Sequence, residues 1–241
     1  MSRLVRVARF HLVQPYQYLM VPWLIAVFTF AVSLIGPALG RSGHPAGIGN
    51  GLLSPVAVHY TGALGSFFVF FFVLGVQSIG RSLPFGLALG VSRRSYYTGT
   101  ALLAAVLAAT DGLALGALQA IERATGGWGV HLGFFRWPYL LDGPWYLTWL
   151  TSFVGLTLLF VYGMWFGIVY RRWSLIGTVA FVAAQVTVLA AALLVVTWAH
   201  GWTGVGHFFT GLTAAGLTGL LAAMAAALLV GGHATIRRAT V

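Results

Sequence analysis

Few side chains in this 241-residue sequence could perform acid–base chemistry. The acidic residues are Asp111, Glu122 and Asp142, so a paired-carboxylate active site would have to draw on these three. The sequence has no lysine and no cysteine, because all thirteen of its strongly basic residues are arginine. Without lysine it can hold neither a G-x-x-x-x-G-K-[ST] phosphate loop nor a pyridoxal Schiff base. Without cysteine it has no disulfide, thiol nucleophile or thiolate metal site.

Histidine is the other residue type with catalytic or metal-binding potential. None of the seven histidines belongs to an H-E-x-x-H motif or shows another close ligand spacing. Four of them are expected outside the membrane, where a metal site is a minor alternative. Ser66 follows Gly65 without the remainder of a serine-protease motif. We therefore predict no catalytic residue, metal or cofactor on this chain. The histidines are His11, His44, His59, His131, His200, His207 and His233.

The composition indicates an integral membrane protein. Hydrophobic residues make up 59% of the sequence and charged residues only 7%, whereas about a quarter of a soluble domain is charged. Six stretches reach the length of roughly 20 mainly apolar residues that a membrane-spanning helix needs. They are continuously apolar, without the alternation of barrel strands. The expected fold is one all-α membrane domain over residues 1–241 with spans at 19–39, 57–79, 98–121, 145–169, 174–199 and 207–231.

The distribution of arginine predicts the orientation of these spans. Ten arginines fall on one side of the six-span arrangement and three on the other, and positive residues accumulate in the cytoplasm. Both termini should therefore be cytoplasmic. The net charge of +10 is then mainly an orientation signal, and nucleic acid is not an expected partner. The cytoplasmic set is Arg3, Arg6, Arg9, Arg81, Arg93, Arg94, Arg171, Arg172, Arg237 and Arg238, and the outer set is Arg41, Arg123 and Arg136.

Two segments at the cytoplasmic surface look like more than flanks of spans. Residues 2–14 alternate apolar side chains with arginine at helical spacing, which predicts either an interfacial helix on membrane lipid or a simple positive flank. Between the second and third spans, Pro84 suits the first turn of a short helix and Gly90 its left-handed C-terminal cap. Ser92 or Ser95 then suits the N-cap of the third span. An apolar set, Leu83, Phe85, Leu87 and Leu89, precedes the Arg93–Arg94 pair, so this short helix must rest on lipid or on another protein.

Within the spans, the polar residue that stands out is Asp111. A carboxylate at the bilayer centre costs about 2.5–3.5 kcal/mol on insertion scales. Two alternatives remain open for it: a structural hydrogen bond, or a place on a substrate or proton pathway. Close helix packing is expected at Gly112-x-x-x-Gly116 and at Gly163-x-x-x-Gly167.

The outer loop 122–144 is unusually aromatic, with Trp128, Phe134, Phe135, Trp137 and Tyr139. Aromatic side chains at this density predict a segment at the membrane surface or dipping into it.

Taken together, the layout resembles the permease subunit of an ATP-binding cassette (ABC) transporter, in the small bacterial (actinobacterial-like) six-span form of the type-2 exporter-like group. The amino-acid sequence is most similar to that of such permeases at Pro84-Phe-Gly-Leu-Ala-Leu-Gly-Val-Ser-Arg-Arg-Ser-Tyr-Tyr-x-Gly99. The resemblance implies that Leu83, Pro84, Phe85, Leu87, Leu89, Gly90, Arg93 and Arg94 form a coupling helix and turn that dock on a separate ATPase. Arg171 and Arg172 would form a second cytoplasmic turn.

The same resemblance implies a bacterial inner-membrane transporter with two permease copies and two ATPases. ATP and Mg²⁺ would be bound by the ATPases and no cofactor by this chain. Such permeases often carry a short re-entrant element between the last two spans. Here the loop at 199–206 is brief, so two alternatives remain: the element is absent, or it is contained within 197–212.

Two other functions compete with a permease. One is a non-transport membrane protein, such as a scaffold, a sensor component or a resistance or immunity factor, which would bind no ATPase. The other is a lipid-modifying membrane enzyme. Such an enzyme needs clustered acids or histidines at a membrane face, and the three dispersed acids count against it.

Overall fold

The computed structural model describes residues 16–40, 63–135 and 144–238, which are almost entirely helical and contain no strand. The predicted helix at 2–14, with Arg3, Arg6 and Arg9, lies outside these residues, as do Arg41, Arg136 and Asp142. A π-helical turn covers Tyr16–Met20, and Gly127–His131 form a tight turn with left-handed backbone at Trp128 and Gly129. The helices are α1 (Val21–Gly40), α2 (Ala63–Gly80), α3 (Ser82–Ala88), α4 (Arg93–Ala124), α5 (Trp145–Trp198), α6 (Trp202–Gly211) and α7 (Ala214–Arg238).

Five of the described helices are long and apolar enough to cross a membrane: α1, α2, α4, α5 and α7. The predicted all-helical class, with several apolar helices of spanning length, is confirmed. The fourth and fifth predicted spans, 145–169 and 174–199, both fall on α5.

Helix α5 is a hairpin of two helical limbs. As a straight rod its 54 residues would extend about 81 Å, far beyond the roughly 30 Å of a bilayer core. Ser174 interrupts it with a φ of 55° and a ψ of −157°. The hydroxyl of Tyr162 donates a hydrogen bond to Oε1 of Gln185, and the rings of Phe166 and Phe181 lie 5.2 Å apart. Residues 145–173, the first limb, therefore run antiparallel to residues 175–198, the second limb.

The first limb packs most closely against α2, at a crossing built from glycine. A Cβ atom added to Gly75 would overlap the carbonyl group of Phe160. One added to Gly163 would overlap the carbonyl oxygen of Phe72, and one added to Gly167 would lie 2.7 Å from Cβ of Ile79. Only residues without a side chain allow two backbones to approach this closely. The predicted Gly163/Gly167 pair lies in this crossing, and Gly75 on α2 completes it.

The first limb also contacts α4 and α7, so it occupies the centre of the bundle. On the α4 side, a Cβ on Gly112 would lie 3.1 Å from the backbone nitrogen of Phe153, and one on Gly116 would lie 3.8 Å from the carbonyl oxygen of Trp145. On the α7 side, the hydroxyls of Thr151 and Thr218 are 2.7 Å apart. Three neighbouring helices thus share one central partner.

The last predicted span begins later than the sequence indicated. Residues 207–211 belong to the short helix α6, and the last long helix starts at Ala214 instead of near 207. The physical reason is an N-cap, because the hydroxyl of Thr213 accepts a hydrogen bond from the backbone N–H of Gly216 at 3.1 Å. The segment between the last two long helices is therefore a ten-residue helix of its own.

Candidate functional site

Most of the described arginines gather at one end of the bundle. The contact between Gly167 and Ile79 brings the α5 bend close to the end of α2, and the hydroxyl of Tyr97 donates to the carbonyl of Leu229 at 3.1 Å. The indole N–H of Trp165 likewise donates to the carbonyl of Leu228 at 2.8 Å. We call this the arginine-rich end. It carries Arg81, Arg93, Arg94, Arg171 and Arg172, and α7 runs toward it to end at Arg238.

The predicted short helix between the second and third spans is present as α3, with the expected turn chemistry. Pro84 lies in its first turn, and Gly90 adopts the left-handed conformation with a φ of 78°. The hydroxyl of Ser92 accepts a hydrogen bond from the backbone N–H of Ser95 at 3.2 Å and so caps α4. The turn therefore places Arg93 and Arg94 at the first residues of α4.

Helix α3 divides the predicted apolar set between two faces. Leu83 and Gly86 are buried against the bundle, whereas Pro84 and Leu87 are half-buried. Phe85 and Leu89 are 58% and 61% exposed. The sequence analysis grouped Leu83 with the apolar residues that face lipid or a partner, but Leu83 is buried and holds α3 against the bundle. The reason is that only part of the surface of a seven-residue helix can face away from the bundle.

Tyr96 fixes α3 to the two helices on either side of it. Its fully buried ring lies under Gly86, where an added Cβ would come within 2.7 Å of the ring. Its hydroxyl donates to the carbonyl of Ser78 in the last turn of α2 at 2.7 Å. The Ser82 hydroxyl, at the start of α3, is within hydrogen-bonding reach of both Tyr96 and Tyr18. The sequence analysis did not predict this contact between α2, α3 and α4, which we call the Tyr96 joint. The one signal for it in the sequence was Gly86, because a glycine inside a seven-residue helix indicates that another group packs closely there.

The α5 bend presents the second arginine pair. Arg171 and Arg172 are both exposed, and the guanidinium of Arg172 lies 4.7 Å from the centre of the Trp173 ring. Arg94 is exposed as well, whereas Arg93 is half-buried. The arginine-rich end therefore combines positive charge with two outward apolar side chains, Phe85 and Leu89.

Asp111 lies inside the bundle and is 3% exposed. The indole N–H of Trp23 on α1 donates a hydrogen bond to its Oδ1 at 2.9 Å. Its Oδ2 has no hydrogen-bond partner among the described residues. A structural role in joining α1 to α4 is thus visible in the geometry, while one carboxyl oxygen is left without a donor.

The opposite end of the bundle is organised around Glu122, which is 1% exposed. Its Oε2 accepts hydrogen bonds from the backbone N–H groups of Phe134 and Phe135 at 2.8 and 2.9 Å, and from the indole N–H of Trp128 at 3.1 Å. The same three aromatic side chains surround Phe30 of α1, at centroid distances of 5.0 to 5.8 Å.

These contacts add detail to the expectation for the outer loop. Trp128, Phe134 and Phe135 pack around Phe30 of α1, and Glu122 of α4 accepts hydrogen bonds from the loop's N–H groups. The position of this loop relative to the membrane surface stays a prediction. Trp137 and Tyr139 lie outside the described residues. Glycines at positive φ (Gly126, Gly127 and Gly129) allow the tight turn, and their clustering was a signal for it in the sequence.

No metal centre is seen in the part of the chain that the structure describes. Within it, no group of three or more histidine, aspartate or glutamate side chains is arranged to hold an ion. His11, His44 and His59 lie outside that part.

Comparisons of the chain with models of known protein families, with curated proteins and with solved structures found no match.

Proposed function

We propose that the chain is the membrane-spanning permease subunit of an ABC transporter, and that it exports a substrate with energy from a separate ATPase subunit. The observation that carries the proposal is α3. It is a short helix at the arginine-rich end, anchored by Leu83 and by the Tyr96 joint, and it turns Phe85 and Leu89 outward. A rigidly held apolar surface beside positive charge suits docking on a protein with an apolar groove and an acidic rim.

The proposed topology has six crossings, with the arginine-rich end in the cytoplasm of a bacterial cell. The hairpin of α5 supports two crossings by that helix, since a single crossing cannot accommodate 54 residues. The grouping of Arg81, Arg93, Arg94, Arg171 and Arg172 at one end supports the orientation, because positive residues stay inside. Both termini are then cytoplasmic.

The proposed partners are those that the resemblance to ABC permeases implies. The absence of lysine agrees with them, because without a phosphate loop on this chain ATP and Mg²⁺ would be bound by the partner ATPase. Two ATPases and a second permease copy complete the proposed transporter. In the transport cycle, closure of the ATPase pair would move α3, and the spans would rock against those of the second copy so that substrate passes between them.

In the docked state, Phe85 and Leu89 would fill the ATPase groove and Arg93 and Arg94 would meet acids at its rim. We therefore expect Arg93→Glu with Arg94→Glu to reduce copurification of the ATPase at least tenfold. The reason is that like-charge contacts at an interface cost several kcal/mol, and about 1.4 kcal/mol already corresponds to a factor of ten.

The measurement is affinity purification of the permease from native membranes, with quantification of any soluble chain that contains a phosphate loop. Arg93→Lys with Arg94→Lys is the matched control, because it keeps the charge and should retain the ATPase. Normal assembly and turnover of the glutamate variant would overturn the placement of the docking surface. If the unmodified protein brings down no ATPase, the non-transport function is favoured instead.

A further inference from the structure

Asp111 has an environment that suits a neutral carboxyl group better than an ionised one. An ionised carboxylate accepts hydrogen bonds at both oxygens, and here Trp23 supplies a donor to Oδ1 only. Oδ2 is buried and has no donor among the described residues. Burying a charge without compensating donors is far more costly than burying a neutral polar group.

Charged side chains on the surrounding elements lie far from Asp111. On α4 itself the nearest charged residues are Glu122 and Arg123, eleven and twelve residues away, or about 16 and 18 Å along the helix. Helix α1 has no titratable residue. In the first limb of α5 the titratable residues before Arg171 and Arg172 at the bend are tyrosines. On α7 the ionisable residues are His233, Arg237 and Arg238, near the arginine-rich end. No described cation is thus placed to hold Asp111 as an anion.

The same surroundings can satisfy the hydrogen-bonding groups of a protonated carboxyl. Its carbonyl oxygen accepts from Trp23, and its O–H needs only one acceptor, which helix carbonyls can supply with their second lone pair. Thr110 shows that carbonyls one turn earlier accept in this way, since its hydroxyl donates to the oxygens of Val106 and Leu107 at 3.1 and 3.0 Å.

We infer that Asp111 is a proton-binding site in the membrane interior, and that the bound proton is what allows Trp23 and Asp111 to join α1 to α4. The proton comes from hydronium in water: one of its O–H bonds breaks, an O–H bond forms at Oδ2, and neutral water is released. Loss of the proton leaves an anion with one donor, so α1 must shift or water must enter before the site is stable again. This inference does not depend on the proposed transport function.

The experiment is infrared spectroscopy of the full-length protein in lipid, with aspartate labelled by a heavy-carbon isotope in its side-chain carboxyl. The chain suits this label because Asp111 and Asp142 are its only aspartates. A protonated carboxyl group shows a C=O stretching band that an ionised group lacks. We expect an isotope-shifted carboxylic-acid band at neutral pH that persists in Asp142→Asn and disappears in Asp111→Asn.

Trp23→Phe tests the pairing separately. Loss of the indole donor should move the Asp111 band to higher wavenumber, because the C=O group loses its hydrogen bond. Absence of the acid band at neutral pH in the unmodified protein and in Asp142→Asn would overturn the inference, whether or not Asp111→Asn folds. An unshifted band in Trp23→Phe would overturn the role of Trp23.

Discussion

The two limbs of α5 have similar apolar sequences and opposite surroundings. The first limb buries Leu156, Phe160 and Met164 completely, and it contacts α2, α4 and α7. The second limb leaves Leu194 at 70% and Trp198 at 90% exposed. In a membrane, apolar side chains gain nothing from leaving lipid for protein, so hydrophobicity does not decide which limb is central.

The difference lies in small and polar residues. The first limb carries Gly163 and Gly167 at its crossing with α2, together with the hydrogen-bonding side chains of Thr151 and Trp165. The second limb is held to the first by Gln185 and Phe181. Close backbone contact and hydrogen bonds therefore select the central helix.

The largest expected effect is on cysteine labelling, which tests whether the second limb of α5 crosses the membrane separately from the first. Because the chain has no cysteine, single cysteines can be introduced at Pro144, Ser174 and Ala199 without background. If α5 crosses twice, Pro144→Cys and Ala199→Cys should react with an impermeant maleimide from outside, and Ser174→Cys only after the membrane is opened. Labelling of positions 144 and 199 from opposite sides would instead mean one crossing.

The glycine crossing should give the next largest effect. Gly75→Ala should destabilise the protein by about 1–3 kcal/mol, because the new methyl group overlaps the carbonyl of Phe160 and the helices must separate. Gly65→Ala, on the same helix, is the matched control, since no atom lies within 4 Å of the added Cβ. Thermal unfolding in detergent measures both, and equal midpoints would contradict the importance of the crossing.

The smallest effect should be at the contact between the limbs. Removing the intramembrane hydrogen bond with Tyr162→Phe or Gln185→Leu should cost about 0.6 kcal/mol, with the double variant close to either single one. Unfolding midpoints in a double-mutant cycle give the coupling, and Tyr170→Phe at an exposed tyrosine is the control. A cost as large as that of Gly75→Ala would show that the second limb is held as firmly as the first.

Much of the fold could be predicted from the sequence, because apolar length and turn chemistry are local signals. The helical class, the short helix α3, the left-handed Gly90 and the Ser92 cap all belong to this group. The start of α7 was misplaced, since apolar residues continue through α6 and only the Thr213 cap marks the break.

Contacts between distant residues could not be predicted in the same way. Nothing local pairs Trp23 with Asp111, Gly75 with Phe160 or Tyr96 with Ser78, because each pair depends on how separate helices meet. The folding of the aromatic loop onto Phe30 depends on Glu122, whose neighbours in the sequence give no sign of its partners.

The Tyr96 joint under α3 has a mechanical consequence. Tyr96 belongs to the first turn of α4 and contacts both Gly86 of α3 and Ser78 in the last turn of α2. A force on α3 is therefore transmitted to the first turn of α4. Helix α4 has 32 residues, so it is about 48 Å long, and a tilt of about five degrees at its base displaces its far end by roughly 4 Å. That far end carries Glu122 and the aromatic loop bound to it. If α4 tilts as a rigid body, a sub-ångström adjustment at its base becomes a movement of several ångströms at its far end.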